Sequence, residues 1–332
     1  MNEENDPKRK RMTDPTAVDF LLVGKDIQNK AGRPIGSAGT EDRHFREFFG
    51  AGPFVVAILW NMMAYQDFIP PLGEIKHLLW TLHFLKAYPR QATVCSTVGG
   101  SSGAIDPKTF RKYMWPFIHA VADLQPAVVS TTCSVFLSFK SNSPYSFKII
   151  FESRKDSGSL NDCLISVDGI DVRIPQQGPA IKGNPFSSFK FAGKCGLRYE
   201  IGLDILAGNI VWVNGPFAAG KYPDIEIFRN GLAHWLDEFE RVEADDGYIG
   251  EAPQKVNCPG CPSNPTEKEP MQKRVQGRHE SLNGRFKNWE ILKSVYRHDL
   301  LEHEKVFMAI AVITQIGIDA GEALFEVGGY ID

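Results

Sequence analysis

The run CLISVDGIDVRI, residues 163–174, decides how the second half of the chain reads. Its opening, CLISV, is β-prone and ends at Asp168. Residues 197–206 and 209–213 read as two further strands, joined by a tight turn at Ala207-Gly208. Pro223-Asp224 then opens a helix through Phe239, and residues 240–244 form a short strand ending at Asp245. A loop rich in Pro and Cys spans 253–270. The helix that carries Glu280 near its start runs to about Trp289, and a last helix covers 300–325. Strands first, then a helix, a strand and more helices predict an α/β fold, a mixed sheet covered by helices.

Upstream of this unit the pattern changes. Residues 1–45 read as a polar tail, with the basic cluster Lys8-Arg9-Lys10-Arg11. Such a cluster is either an import signal, pointing to the nucleus, or an ordinary solvated charge run. Residues 46–125 read as a small all-helical domain. Candidate helices lie at 53–66 and 73–88, and a third starts with Asp106 as N-cap and Pro107 at the first helical position. In that third helix Phe110, Met114, Phe117, Ile118 and Val121 recur at helical spacing. The small residues of 93–103 form a turn between helices, so the cluster is either a helix-turn-helix DNA reader or a packing domain. Residues 126–160 are an irregular connector or insertion.

The chain has 332 residues, 43% hydrophobic and 23% charged, with a net charge of −3. That composition fits a globular protein with a substantial core and excludes a strongly basic DNA-coating protein, so any DNA contact must use local patches. The apolar runs at 54–63 and 306–313 are shorter than the roughly 20 residues of a membrane helix. No membrane association is expected. The six cysteines follow no secretory leader and imply a reducing compartment.

Asp168 and Asp245 each sit at the end of an expected strand, where α/β folds build sites. With Glu280 they supply three carboxylates from three elements. Oxygen donors of this kind suit two Mg²⁺ or Mn²⁺ ions acting on a phosphodiester. The bland alternatives are turn formers, helix caps and a solvated glutamate. Asp171 is three residues from Asp168 and faces the other side of a strand, and Asp246 suits a turn. Glu280, Asn283 and Lys287 share one helical stripe, opposite Leu282, Phe286 and Trp289. If Glu280 faces the cleft, the Phe286 side must pack on another helix.

Five ordered segments carry a family resemblance: VDGIDVRI (167–174), FSSFKFAGKCGLRYEIGLDI (186–205), GNIVWVNGPFAAGKYPDIEIFR (208–229), ADDGYIG (244–250) and RHESLNGRFKNW (278–289). Together they resemble the catalytic domain of DDE-type transposases, the Harbinger-like group of DDE superfamily endonucleases, over residues 161–327. Residues 44–124 resemble, more faintly, the helix-turn-helix region that precedes it. The resemblance implies a ribonuclease H-like fold. It also implies Asp168, Asp245 and Glu280 as catalytic metal ligands, Asp245 being the residue that fits Asp-any-Gly-Tyr. Two divalent ions would serve attack by water or a 3′-hydroxyl. DNA, as transposon ends and target, and a second copy of the chain are the implied partners. Lys190, Lys194, Arg198, Arg278, Arg285 and Lys287 are the candidate DNA contacts. Ile170 departs from the family's usual Thr, and a degenerate copy that binds DNA or a protein without cutting is the alternative.

Two other motifs compete. Residues 215–222, GPFAAGKY, approach a phosphate loop, but Tyr222 replaces the magnesium-binding Ser or Thr and Pro216 removes a backbone donor. Cys258-Pro-Gly-Cys261 is half a zinc knuckle with no second pair in sequence.

Overall fold

A computed structural model describes residues 14–32, 39–128, 163–178, 183–236, 240–261 and 269–327. The basic cluster at 8–11 and most of the connector at 126–160 lie outside those residues.

The sheet has five strands: β1 (Ile165–Arg173), β2 (Gly196–Asp204), β3 (Ile210–Ala218), β4 (Val242–Glu243) and β5 (Val256–Asn257). Their order is β3-β2-β1-β4-β5. β1, β2 and β3 pair antiparallel, whereas β4 and β5 run parallel to β1. This is the mixed α/β sheet that the sequence predicts. Two details differ. β1 continues five residues past Asp168, through Gly169 to Arg173. Gly169 does not end the strand because it faces Glu200 directly in the β1–β2 ladder. β5 lies inside the stretch expected to be a loop, where Val256 packs into a small core with Val242, Phe228 and Tyr248.

Strand parity divides β1 between two surfaces. Ile165, Val167, Gly169 and Asp171 point to one face, together with Arg198, Glu200 and Gly202 of β2. Ser166, Asp168, Ile170 and Val172 point to the other. Both faces are covered, so burial along β1 is nearly continuous rather than alternating.

The helices before the sheet are α1 (Ala17–Lys30), α2 (Glu41–Phe49), α3 (Pro53–Tyr65), α4 (Ile75–Ala87), α5 (Gln91–Thr97), α6 (Pro107–Ala122) and α7 (Gln125–Val128). α3, α4 and α6 match the expected helices closely. Asp106 caps α6, its Oδ1 accepting from Lys108 N at 2.8 Å and Thr109 N at 3.3 Å. α1 corrects the expected tail. Thr16 N and Oγ1 both donate to Asp19 at its start, a capping box built with Asp in place of Glu, and Phe20 and Ile27 enter the core. α5 likewise occupies part of the expected turn at 93–103.

After the sheet begins come α8 (Asp224–Asn230), α9 (Glu269–Lys287), α10 (Glu290–Lys293) and α11 (His303–Asp319). α8 is shorter than expected because Gly231 follows it, and a 3₁₀ turn at Leu232–Trp235 continues the chain. α11 packs on α3 and α6 on one side and on β3 and α9 on the other. Phe307 in it is sandwiched between Tyr199 of β2, at 3.7 Å, and Phe286 of α9, at 5.1 Å. The Phe286 side of α9 therefore packs on a helix, as its pattern requires. Phe45, Leu82 and Phe117 share one hydrophobic core with Ile170, Tyr199 and Ile310. The N-terminal helices and the sheet are thus built around common packing, not as separate halves. Among the described residues, no single helix is long and apolar enough to cross a membrane.

Candidate functional site

The site is held by the way α9 crosses β1 and β4. Gln276, His279 and Asn283 recur at three- and four-residue spacing and so share one stripe. Each touches the sheet. Gln276 Nε2 lies 3.5 Å from Ala244 O, His279 Nδ1 lies 3.2 Å from Ser166 Oγ, and Asn283 Nδ2 donates to Asp168 Oδ2 at 2.8 Å. Glu280 rides on the same side, exposed at the mouth of a cleft of about 100 Å³. Ser166, Asp168, Glu243, Asp245, His279 and Glu280 line that cleft. Glu280 lies past the middle of its helix and not near the start.

Asp168 is half-buried. Its Oδ1 accepts from Gly169 N at 2.7 Å, and Asn283 occupies the other oxygen. Burial pushes its carboxyl above the usual range, against the pull of Lys190, these two hydrogen bonds and Lys287. Asp245 caps the 3₁₀ turn at Asp246–Glu251, accepting from Gly247 N at 2.9 Å. Its carboxyl is also raised, first by burial and then by the negative charge of Asp168. His279 is pushed down to about 3 by burial and by Arg278, and is neutral at ordinary pH. A carboxylate raised by burial and by the charge of its neighbour, as Asp245 is by Asp168, is what a bound cation relieves. Even so, no three His, Cys, Asp or Glu side chains among the described residues converge closely enough to hold one ion. The donor set suits a hard divalent cation, and the three carboxylates border one cleft, but their oxygens are splayed.

Lys190 reaches into the cluster. Its Nζ donates to Gly169 O at 2.6 Å, and its charge acts on Asp168, Asp224 and Asp245. Lys287 is exposed one turn beyond Asn283 and also acts on Asp168. Lys194 is exposed, with no contact to the carboxylates among the described residues. The three arginines are used otherwise. Arg198 is buried on the opposite face of β1, paired with Asp171 at 2.7 Å and with Asp224 at 3.4 Å. Arg278 is buried and donates to the carbonyls of Asp204, Ile205 and Leu206, closing the β2–β3 turn. Arg285 donates to the carbonyls of Glu322 and Ala323. Five donors on a rigid plane make guanidinium groups efficient at tying loops down, and that role removes these three from the cleft.

Asp171 does face away from Asp168, as its spacing implies. Sequence reasoning missed Asp224, at the start of α8. Its Oδ1 lies 2.0 Å from where a Cβ on Gly169 would stand. A side chain after Asp168 would therefore have to displace the Asp224 carboxylate. The Asp-Gly pair itself was the available signal.

Both competing motifs lie within the described residues. The Gly215-Pro216 bond is cis, Lys221 lies over the Tyr222 ring at 5.0 Å, and Gly220 is pressed against backbone of residues 184–187. Cys258 and Cys261 are buried thiols in one turn, Cys261 N donating to Cys258 O at 3.1 Å. A larger cavity of about 710 Å³, lined by Arg46, Lys86, Arg285 and Trp289, holds none of the three carboxylates. No family model, curated protein or solved structure matches this chain.

Proposed function

We propose that this chain is a metal-dependent DNA endonuclease and strand transferase of the DDE transposase type, acting in the nucleus on duplex DNA. The observation that carries the reading is the Asn283–Asp168 hydrogen bond. It brings the face of α9 bearing Glu280 onto the carboxylate of β1, beside Asp245 at the end of the neighbouring parallel strand. The sheet order β3-β2-β1-β4-β5, antiparallel and then parallel, supports a ribonuclease H-like arrangement.

Asp168, Asp245 and Glu280 would hold Mg²⁺ or Mn²⁺, which when bound supplies an activated oxygen nucleophile and stabilises the leaving oxygen. Asn283 fixes the direction of the Asp168 carboxylate. Lys190 and Lys287 provide the positive charge that a phosphodiester needs in an otherwise acidic cleft. His279, neutral and buried, packs the floor without adding charge.

Nicking of supercoiled plasmid by the purified chain with Mn²⁺ tests this. Asp245→Asn keeps the shape but removes a ligand charge, so nicking should fall by two or more orders of magnitude while DNA binding persists. Undiminished nicking in that variant would remove Asp245 from the site. A second reading, a copy that binds DNA or a protein without cutting, draws on the splayed carboxylates and the seated Lys190. Binding to duplex with no nicking in any divalent metal would favour it.

A further inference from the structure

A third pocket, lined by none of the three carboxylates, lies between the end of α4, the start of α6 and the chain after α10. It encloses about 300 Å³ and is lined by Phe84, Phe110, Met114, Trp115, Arg90 and Arg111, with Arg297 and His298 behind them. The walls are apolar and the mouth is cationic. Phe84, Phe110 and Met114 are buried, Trp115 is half-buried, and Arg90 and Arg111 are exposed. Among the described residues neither the Arg90 nor the Arg111 guanidinium makes an ion pair or hydrogen bond, unlike those of the arginines at 198, 278 and 285. Arg297 is fixed, stacked at 4.1 Å over the Tyr88 ring and bonded to the Tyr88 and Pro89 carbonyls. His298 stands edge-on among Phe84, Tyr88, Trp115 and Tyr296, with ring centroids at 5.4–5.8 Å. Burial and Arg297 hold it below its usual pKa, so it is a neutral polar group in an aromatic wall.

Two exposed guanidinium groups beside a small cavity walled by aromatic side chains match a ligand that is apolar at one point and anionic beside it. The size is at the lower end of the roughly 300–1,000 Å³ of small-ligand sites, which favours one ring system over an extended cofactor. Aromatic walls accept any base through its π-face, and arginines take the flanking phosphates. We propose that this pocket takes one unpaired nucleotide of a DNA strand, its base against the exposed part of Trp115 and its phosphates on Arg90 and Arg111. β1 joins the two sites: Tyr296 N bonds to Arg173 O, five residues beyond Asp168 and about 17 Å along the strand. The choice of nucleic acid as occupant rests on the nuclease reading; the shape and charge of the pocket do not.

The test is fluorescence anisotropy with the full chain in EDTA, so that cleavage plays no part. The probes are duplexes carrying a short single-stranded overhang, with a base or an abasic sugar at each overhang position. The parent should prefer the base-bearing overhang by about tenfold at one position, the scale of a single stacking contact. Trp115→Ala should abolish that preference, and Trp115→Phe should restore part of it. R90Q/R111Q, altered only at exposed positions, should weaken both probes alike and lower the salt slope by about two. A parent that does not distinguish the probes, or binds neither, overturns the proposal, as does full preference in Trp115→Ala. The nuclease reading fails separately, by absence of nicking in the parent.

Discussion

Gly169 shows how closely one residue can be bound to two jobs. Its nitrogen donates to Asp168 on the cleft side, while its α-carbon leaves room for Asp224 on the other. Gly169→Ala would drive a methyl group into a carboxylate that Arg198 already holds from the far side. We expect a loss of about 1–3 kcal/mol in urea unfolding, the usual cost of overpacking. Pairing it with Asp224→Ala should recover part of that loss, and no recovery would place the strain elsewhere. That Asp168 and Asp245 border one cleft was legible in the sequence, because Asp-Gly and Asp-Asp-Gly-Tyr sit beside β-prone runs; that Glu280 joins them there was implied only by the resemblance. Asn283 was legible only as a member of a stripe, since an amide has no spacing signature of its own. The basic residues were misread where they were arginines: a sequence reports charge, and the packing decides whether that charge faces solvent or a row of carbonyls.

At the scale of the element, α9 is positioned by three polar contacts on one face and by Leu282, Phe286 and Trp289 on the other. The apolar face fixes where the helix lies, and the polar stripe fixes its rotation over β1. Asn283→Ala should therefore cost only about 1 kcal/mol of stability, the net worth of one hydrogen bond. It should nonetheless raise the Mn²⁺ concentration needed for half-maximal nicking by about tenfold, because Asp168 loses its orienting partner. An unchanged metal requirement would mean that Gly169 N alone fixes the carboxylate. Helix positions were readable wherever caps and apolar spacing agreed, as at Asp106-Pro107. β5 was not readable, since two residues between prolines and cysteines carry no periodicity and pair only because β4 offers an edge. Residues 77–85 of α4 are all buried, so that helix is a packing element at the centre of the helical cluster.

For the whole molecule, two buried groups set opposite pH dependences. Glu200, buried against Trp212, is raised to about 8, and His303, buried against Tyr199, is lowered to about 4. Between about pH 4.5 and 8 the folded protein holds a proton on Glu200 that the unfolded chain releases, so this term loses stability as pH rises. Between about pH 6.5 and 4 the unfolded chain takes a proton that His303 refuses, so that term loses stability as pH falls. Each contributes at most about 1.4 kcal/mol per pH unit. Urea midpoints measured from pH 6.5 to 8 should decline in the parent and flatten in Glu200→Gln; a decline of equal slope in that variant would assign it to other groups. The common core makes a different prediction. Residues 161–332 expressed alone should lack a cooperative unfolding transition and regain one when co-expressed with residues 1–160, because the apolar side of α11 that meets α3 and α6 would otherwise face water. An isolated fragment that melts cooperatively would show the sheet to be self-sufficient. None of this sharing could be read from the chain, where α11 is only an apolar run at the far end from the helices it joins. Its position also bears on how such a chain can vary over generations. A helix wedged between two neighbours must suit both with every change, so neither half can be traded for that of a distant relative without refitting the other. Exchange by recombination within 163–302 would leave α11 facing a partner it was never selected against, and inheritance of the chain as one block is the consequence.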